Sequence, residues 1–183
     1  MIGHDFDALL IAAQAGNEAA VGSLYRDLNP TLVRFLSAQV AGSGEDLAQE
    51  VWLAAANGLA SFSGDEQGFR AWMFTIARRQ LISHWRRSRR RPQRVVDPAH
   101  LPELGAPSED EADARILADE AVLALVAGLP RDQAEIVLLR VVAGFDAEQV
   151  GLIVGKPAST VRVLQHRALK RMARRFAAES VTK

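Results

Sequence analysis
The chain has 183 residues, 49% of them hydrophobic and 24% charged, enough for one or two small folded units. It contains no cysteine, which excludes disulfides, thiolate metal sites and thiol redox switching. Its 22 basic and 22 acidic side chains cancel, but they are segregated. From Arg70 to Arg94 there are nine arginines and no acid, whereas from Asp97 to Asp113 acids dominate and arginine is absent. That arrangement points to a polyanion as partner of the basic segment.

Near the N-terminus, Ala8 to Ala13 is apolar, but Asp5 and Asp7 precede it where a secretory leader would be positive. No stretch approaches membrane-spanning length, so a cytoplasmic chain without membrane insertion is expected. Apolar residues at helical spacing predict helices over Phe6 to Ala15, Ala19 to Val40, Glu45 to Ala60 and Phe69 to Trp85. Gly42, Gly44 and the turn-rich segment Ser61 to Gly68 (SFSGDEQG) separate them.

The last of these helices lies in a basic segment, residues 68 to 91, where aromatic residues are interleaved with arginines. Phe69, Trp72, Phe74 and Trp85 supply stacking surfaces, and Arg78, Arg79, Arg86 and Arg87 supply phosphate-directed charge. Proteins that hold unpaired bases use that pairing. Trp72 and Ile76 also stand four residues apart, a spacing that fits a core stripe. The run from Arg86 to Arg91 repels itself unless an anion neutralises it.

Beyond it, Pro92, Pro98, Pro102, Gly105 and Pro107 are scattered among acids with almost no periodicity. A loop this long is uncommon inside one compact domain, so residues 92–111 are expected to form a flexible acidic linker. Helical pattern resumes over Ala112 to Gly128, breaks at Leu129-Pro130, and continues from Asp132 to Val142. The expected fold is all-α, with two helical domains at residues 5–91 and 112–178.

The stretch FDAEQVGLIVGKPASTVRVLQHRALKRM, residues 145 to 172, reads as two short helices around a tight turn, the outline of a helix-turn-helix. Ala147, Val150, Gly151 and Val154 fall on one helical face, with Asp146 as N-cap. Gly155 ends that helix, and Pro157 suits the first turn of the next. There Val161, Leu164, Ala168 and Met172 form the inward stripe, while Ser159, Arg162, Val163, His166 and Lys170, flanked by Arg167, face outward. Such a face can enter the major groove, where arginine reads guanine and apolar groups meet thymine methyls. GLIVGK, residues 151 to 156, fails as a phosphate loop: it is one residue short, Pro157 replaces Ser or Thr, and no strand precedes it. The four histidines show no metal-ligand spacing and no Ser-His-acid grouping is arguable, so neither an enzyme nor a metal or cofactor is expected.

Three blocks in this order, EDLAQEVWLAA (from 45), FRAWMFTIARRQLISHWRR (69 to 87) and residues 129 to 172, resemble the sigma-70 family, specifically its extracytoplasmic-function (ECF) sigma factors, the two-domain type with only regions 2 and 4. The resemblance covers about residues 7 to 175. It implies a dissociable, bacterial, cytoplasmic subunit that brings core RNA polymerase to promoters. Asp46, Gln49, Glu50 and Trp52 match the segment that docks on the beta-prime subunit, and both domains would contact core polymerase, beta subunit included. Phe62 and the loop to Gly68, with Phe69, Trp72, Arg78, Arg79, Ser83, Arg86 and Arg87, match the part that opens the -10 element. Extruding a base costs a few kcal/mol, which a pocket and nearby arginines must recover. Arg79 and Ser83 stand where many relatives carry Asn and Asp, so phosphate binding is better supported than a base preference.

Arg140, Ser159, Thr160, Arg162, Val163, His166, Arg167 and Lys170 match the -35 contacts. Val163 and Leu164 replace a frequent polar-basic pair, so Val163 is suited to a thymine methyl and Leu164 to the core. Gln165 falls where an apolar residue is usual. An anti-sigma partner is usual in the family. The alternative reading is a stand-alone helix-turn-helix regulator, which would bind paired half-sites as a dimer and leave the first basic segment unused.

Overall fold
The computed structural model describes residues 2–40, 42–90 and 122–181. The expected linker, 92–111, lies outside them, as does most of the helix expected over 112–128. Among the described residues all regular structure is helical. A short 3-10 turn, Gly3–Asp5, leads into α1 (Phe6–Gln14) and α2 (Glu18–Ser37). Asn17 caps α2, its side-chain oxygen accepting the Ala20 amide at 3.0 Å. Leu24, Leu28, Leu32, Phe35 and Leu36 then recur at three- and four-residue steps, and all are buried. α3 (Gly44–Leu59) buries Leu47, Ala48, Val51 and Ala55 against them.

The next helix, α4 (Glu66–Arg90), is longer at both ends than its apolar pattern predicts. At the start, the Asp65 carboxylate accepts the Gly68 amide at 2.7 Å, and Glu66 holds the Ile2 and Gly3 amides at 2.8 and 3.0 Å. At the other end arginines, good helix formers, carry the helix past its last apolar contact.

α4 buries Phe69, Met73, Phe74, Ile76, Ala77 and Leu81, an arc too wide for one face. Two neighbours require it: α2 and α3 cover one side, and a helix of the C-terminal part covers the other. Phe74 lies between them, its ring 5.2 Å from Phe35 and 5.2 Å from Phe145. Fully burying such a ring stabilises by about 1.5–3 kcal/mol.

Among the described residues the C-terminal part starts with a helical stretch over 122–126, breaks at Gly128, Leu129 and Pro130 as expected, and continues as α5 (Arg131–Val141), α6 (Ala147–Val154) and α7 (Ala158–Val181). α5 buries Ile136, Val137, Leu138 and Leu139 in succession. One buried cluster runs from Phe6 through Phe74 and Phe145 to Ala168. In the described residues the two expected domains are therefore packed on one another along α4.

A candidate nucleic-acid interface on α7 and α4
The turn before α7 follows its sequence closely. Asp146 accepts the Gln149 amide at 2.8 Å while Gln149 returns a bond from the Asp146 amide at 2.9 Å, a complete capping box. Gly155 ends α6 in the left-handed region at φ 68°, as a C-terminal glycine does. Gly151 serves a different purpose. A Cβ there would meet the Lys156 carbonyl oxygen at 2.6 Å, so only glycine lets the turn fold this closely onto α6. The GLIVGK segment is thus the hinge of a helix pair rather than a phosphate loop.

Val161, Ala168 and Met172 of α7 are buried, and Leu164 is half-buried. The opposite face carries Ser159, Arg162, Val163, His166, Arg167 and Lys170, all exposed, with Thr160 half-buried at its edge. Arg162 pairs with Glu148 of α6, both side chains lying in solvent, where such a pair is worth little and is readily exchanged. Arg140 differs from the others. Its guanidinium donates to the Phe145 carbonyl at 2.6 Å and to Gln165 at 3.2 Å, so it braces the turn against α7. Gln165, unusual at its position, is the acceptor that orients it.

On α4 the candidates divide by burial. Phe69 is 3% exposed, its ring packed among Phe6, Phe62 and Trp72, and Phe74 is 0% exposed. Neither offers a free face for a base, which corrects the stacking role given to them: a helix covered on both sides turns these rings inward. Phe62 and Trp72 are half-buried, with ring centroids 5.1 Å apart, and keep some open surface. Trp85 is half-buried too, with the Arg131 guanidinium 4.9 Å above its ring.

Among the arginines, Arg79, Arg86 and Arg87 are exposed together with Ser83. Arg87 reaches Glu50 of α3 at 3.3 Å, an open ion pair. Arg78 is half-buried, and its Nε donates to Glu135 of α5 at 2.9 Å. A phosphate or a base can engage Arg78 fully only by displacing Glu135.

On α3, Asp46, Gln49 and Glu50 share one face. Trp52 lies beside it, half-buried, its indole donating to Asn29 at 3.1 Å and its ring 5.1 Å from Tyr25. The residue that sequence reasoning missed is Leu53, 70% exposed on that same face. The signal was present, since Leu53 follows Gln49 by four positions. With Val21, Leu24, Tyr25 and Trp52 it lines a cavity of 530 Å³ between α2 and α3. Among the described residues no group of acidic or histidine side chains could hold a metal, and no helix is long and apolar enough to cross a membrane.

Comparison with known proteins accounts for both helices. The model for sigma-70 region 2 matches residues 24–91, and that for sigma-70 region 4 matches residues 119–172. The chain is 33% identical over 180 residues to the ECF RNA polymerase sigma factor SigD of Mycobacterium tuberculosis, covering 94% of this chain and 84% of SigD. It belongs to the ECF sigma factors of the sigma-70 family. To the ECF sigma factor ShbA of Streptomyces griseus it is 32% identical, over 90% of this chain and 92% of ShbA. The fold is that of CnrH, solved in complex with the cytosolic domain of CnrY, at a TM-score of 0.67, 19% identity, and coverage of 93% of this chain and 96% of CnrH. It is also that of the Bartonella quintana sigma factor RpoE, solved with the anti-sigma factor NepR, at a TM-score of 0.60, 23% identity, and coverage of 83% of this chain and 93% of the RpoE chain.

In this sigma factor the region 2 match holds most of α2 with α3 and α4, and the region 4 match holds α5, α6 and much of α7. α1 precedes the region 2 match yet buries Phe6, Leu10 and Ala13 in the same core. These matches favour the sigma-factor reading over a stand-alone regulator, which would leave region 2 unexplained.

Proposed function
We propose that this sigma factor directs core RNA polymerase to promoters by reading duplex -35 DNA with α7 and opening the -10 region with α4, making and breaking no bond itself. The observation that carries the reading is the outward face of α7, where Ser159, Arg162, Val163, His166, Arg167 and Lys170 stand exposed over a buried apolar stripe. A narrow cationic face with one exposed apolar group suits the major groove. Arg140 acts there as a brace, and contact to a backbone phosphate is left to its remaining N–H groups. On α4, Arg79, Ser83, Arg86 and Arg87 form the phosphate-binding edge, and Phe62 with Trp72 supplies the open aromatic surface for an unstacked base.

Core polymerase binds the face of α3 that carries Asp46, Gln49 and Glu50, with Trp52 and Leu53 as apolar anchors. A ring of acids and amides around apolar groups suits a basic, amphipathic helix of the beta-prime subunit. The working division is region 2 at 5–91, linker at 92–111 and region 4 at 112–178, in a bacterial cytoplasm, with an anti-sigma protein as regulator.

In vitro transcription with core polymerase on a promoter library tests the proposal. The expected result is start sites that appear only when this chain is added and that share one -35 and one -10 motif. Transcription that is unchanged by the chain, or a dimer that binds palindromic duplexes without polymerase, would overturn it.

A further inference from the structure
Residues 2–14 lie ahead of the region 2 match, which begins at Leu24, yet they hold both ends of the loop that carries Phe62. At the entry, Nε2 of Gln14, the last residue of α1, donates to the Leu59 carbonyl at 3.0 Å and to the Phe62 carbonyl at 2.8 Å. Leu59 ends α3, so its carbonyl has no partner farther along that helix. At the exit, the Glu66 carboxylate accepts the Ile2 and Gly3 amides. α1 already buries Phe6, Leu10 and Ala13, and these polar contacts add nothing to that burial. What they share is the segment between them.

That segment has little packing of its own. From Ser61 to Asp65 every residue is exposed except Phe62, and so exposed a stretch resists local opening only weakly. The rings around Phe62 are better fixed. Phe69 is buried on α4, and Trp72 is seated against α3 where Gly58 leaves room, since a Cβ there would meet the Trp72 ring at 2.9 Å. Phe62 completes the group, 5.5 Å from Phe69 and 5.1 Å from Trp72. Its placement depends on the loop, and Gln14 is the side chain from outside the loop that grips the Phe62 backbone.

We propose that Gln14 is a positioning residue for the -10 surface: it holds the Phe62 backbone so that the Phe62 and Trp72 rings already stand in the arrangement that receives an unstacked base. An extruded base has given up its stacking, and a surface that must first order itself returns less of it. Gln14 suits the task because one carboxamide nitrogen carries two donors, enough for both carbonyls. The inference rests on the proposed reading of Phe62 and Trp72 as the base-stacking surface, and it extends the -10 machinery to α1.

The test uses core polymerase with the full chain and a promoter duplex left unpaired over the -10 element, in which each non-template base in turn is replaced by an abasic residue. With the unsubstituted chain, removing the base at one position should weaken binding by about tenfold. Gln14→Met keeps roughly the size of the side chain but has no donor, and should cut that preference by about fivefold. Its binding to the abasic duplex and its salt dependence should stay as they were, because the arginines of α4 are untouched. Gln14→Lys should keep most of the preference, since an ammonium group also donates to carbonyls at a helix C-terminus. Both variants are compared at unchanged helical content by circular dichroism. A full preference in Gln14→Met, an equal loss on intact and abasic DNA, or a Gln14→Lys chain that behaves like Gln14→Met overturns the positioning role. If no position distinguishes base from abasic residue in the unsubstituted chain, the stacking surface itself is wrong and its positioning falls with it, a result distinct from a loss confined to Gln14→Met.

Discussion

α7 and α4 are both long, arginine-rich helices, yet they present their charge differently. α7 is covered on one side, so its outward residues form a continuous exposed face, on which Arg162 pairs with Glu148. α4 is covered on two sides, and its cations are shared out among Asp27, Glu50, Glu135 and the Ala143 carbonyl. The difference teaches that a basic helix reads as a binding surface only to the extent that its own fold leaves the charges unspent. On the proposed reading α7 meets a duplex as it stands, whereas Arg78 of α4 is already engaged by Glu135.

The hardest way to break this comparison is to remove the ring that makes α4 two-sided. Phe74→Ala deletes a side chain with no exposed surface, held between Phe35 and Phe145, and should cost about 3–5 kcal/mol. Thermal unfolding followed by circular dichroism should show a large fall in Tm. A shift no larger than that of a surface substitution would mean that α4 is not shared between the two units.

Gly151→Ala attacks the other helix at its root. The new methyl would sit 2.6 Å from the Lys156 carbonyl, a backbone atom, so the turn must open and α7 must tilt. Overpacking of this kind costs about 1–3 kcal/mol. Binding to a -35 duplex should fall with it while binding to unpaired DNA through α4 is kept. Equal loss of both would show that the two helices are coupled more tightly than their separate faces suggest.

How far the sequence was legible follows the same division. The capping box at Asp146, the glycine stop at Gly155 and the buried stripe of α7 all stand where period and turn chemistry place them, because one covered face gives a clean 3.6-residue signal. On α4 the pattern was blurred. Phe69, Met73, Phe74, Ile76 and Ala77 fill an arc of roughly 160° at 3.6 residues per turn, wider than a single packing stripe, and nothing local shows that α6 lies on the far side. Phe74 therefore looked like a stacking surface when it is a core ring. Glu135 was invisible for the same reason: amid the apolar residues of α5 it reads as an isolated polar position until its partner 57 residues earlier is known.

Side-chain substitutions on the two reading faces should sharpen the contrast. Arg162→Ala should weaken binding at one -35 position by about 1–3 kcal/mol and relax selection there, measured on a panel of single-base promoter variants. Uniform loss over the panel would rule out base reading. Neutralising Arg86, Arg87 and Arg89 together should instead lower affinity for every sequence and flatten the dependence on salt, by roughly 0.9 in slope for each phosphate contact removed. Arg87 should contribute the least of the three, since Glu50 already neutralises it in part.

The smallest effect expected is the pH dependence of the packing of α5 on α4. Burial pushes the Glu135 carboxyl above its ordinary 4.5; Arg78 and, more weakly, Lys156 of the α6–α7 turn pull it down, while Asp132 at the start of α5 pushes it further up. A carboxyl whose value is raised in the packed state binds its proton more tightly there than in the open or unfolded chain. Its contribution to packing is therefore full below the ordinary value and is lost as the pH rises through the raised one. As the pH rises above that ordinary value the packing of α5 on α4 should weaken as this group ionises. Glu135→Gln keeps an acceptor for Arg78 but cannot titrate, so its Tm, followed against pH by circular dichroism, should lack that part of the slope. A variant with the same slope as the unsubstituted protein would assign the pH dependence to other carboxylates and leave Glu135 with no share in it.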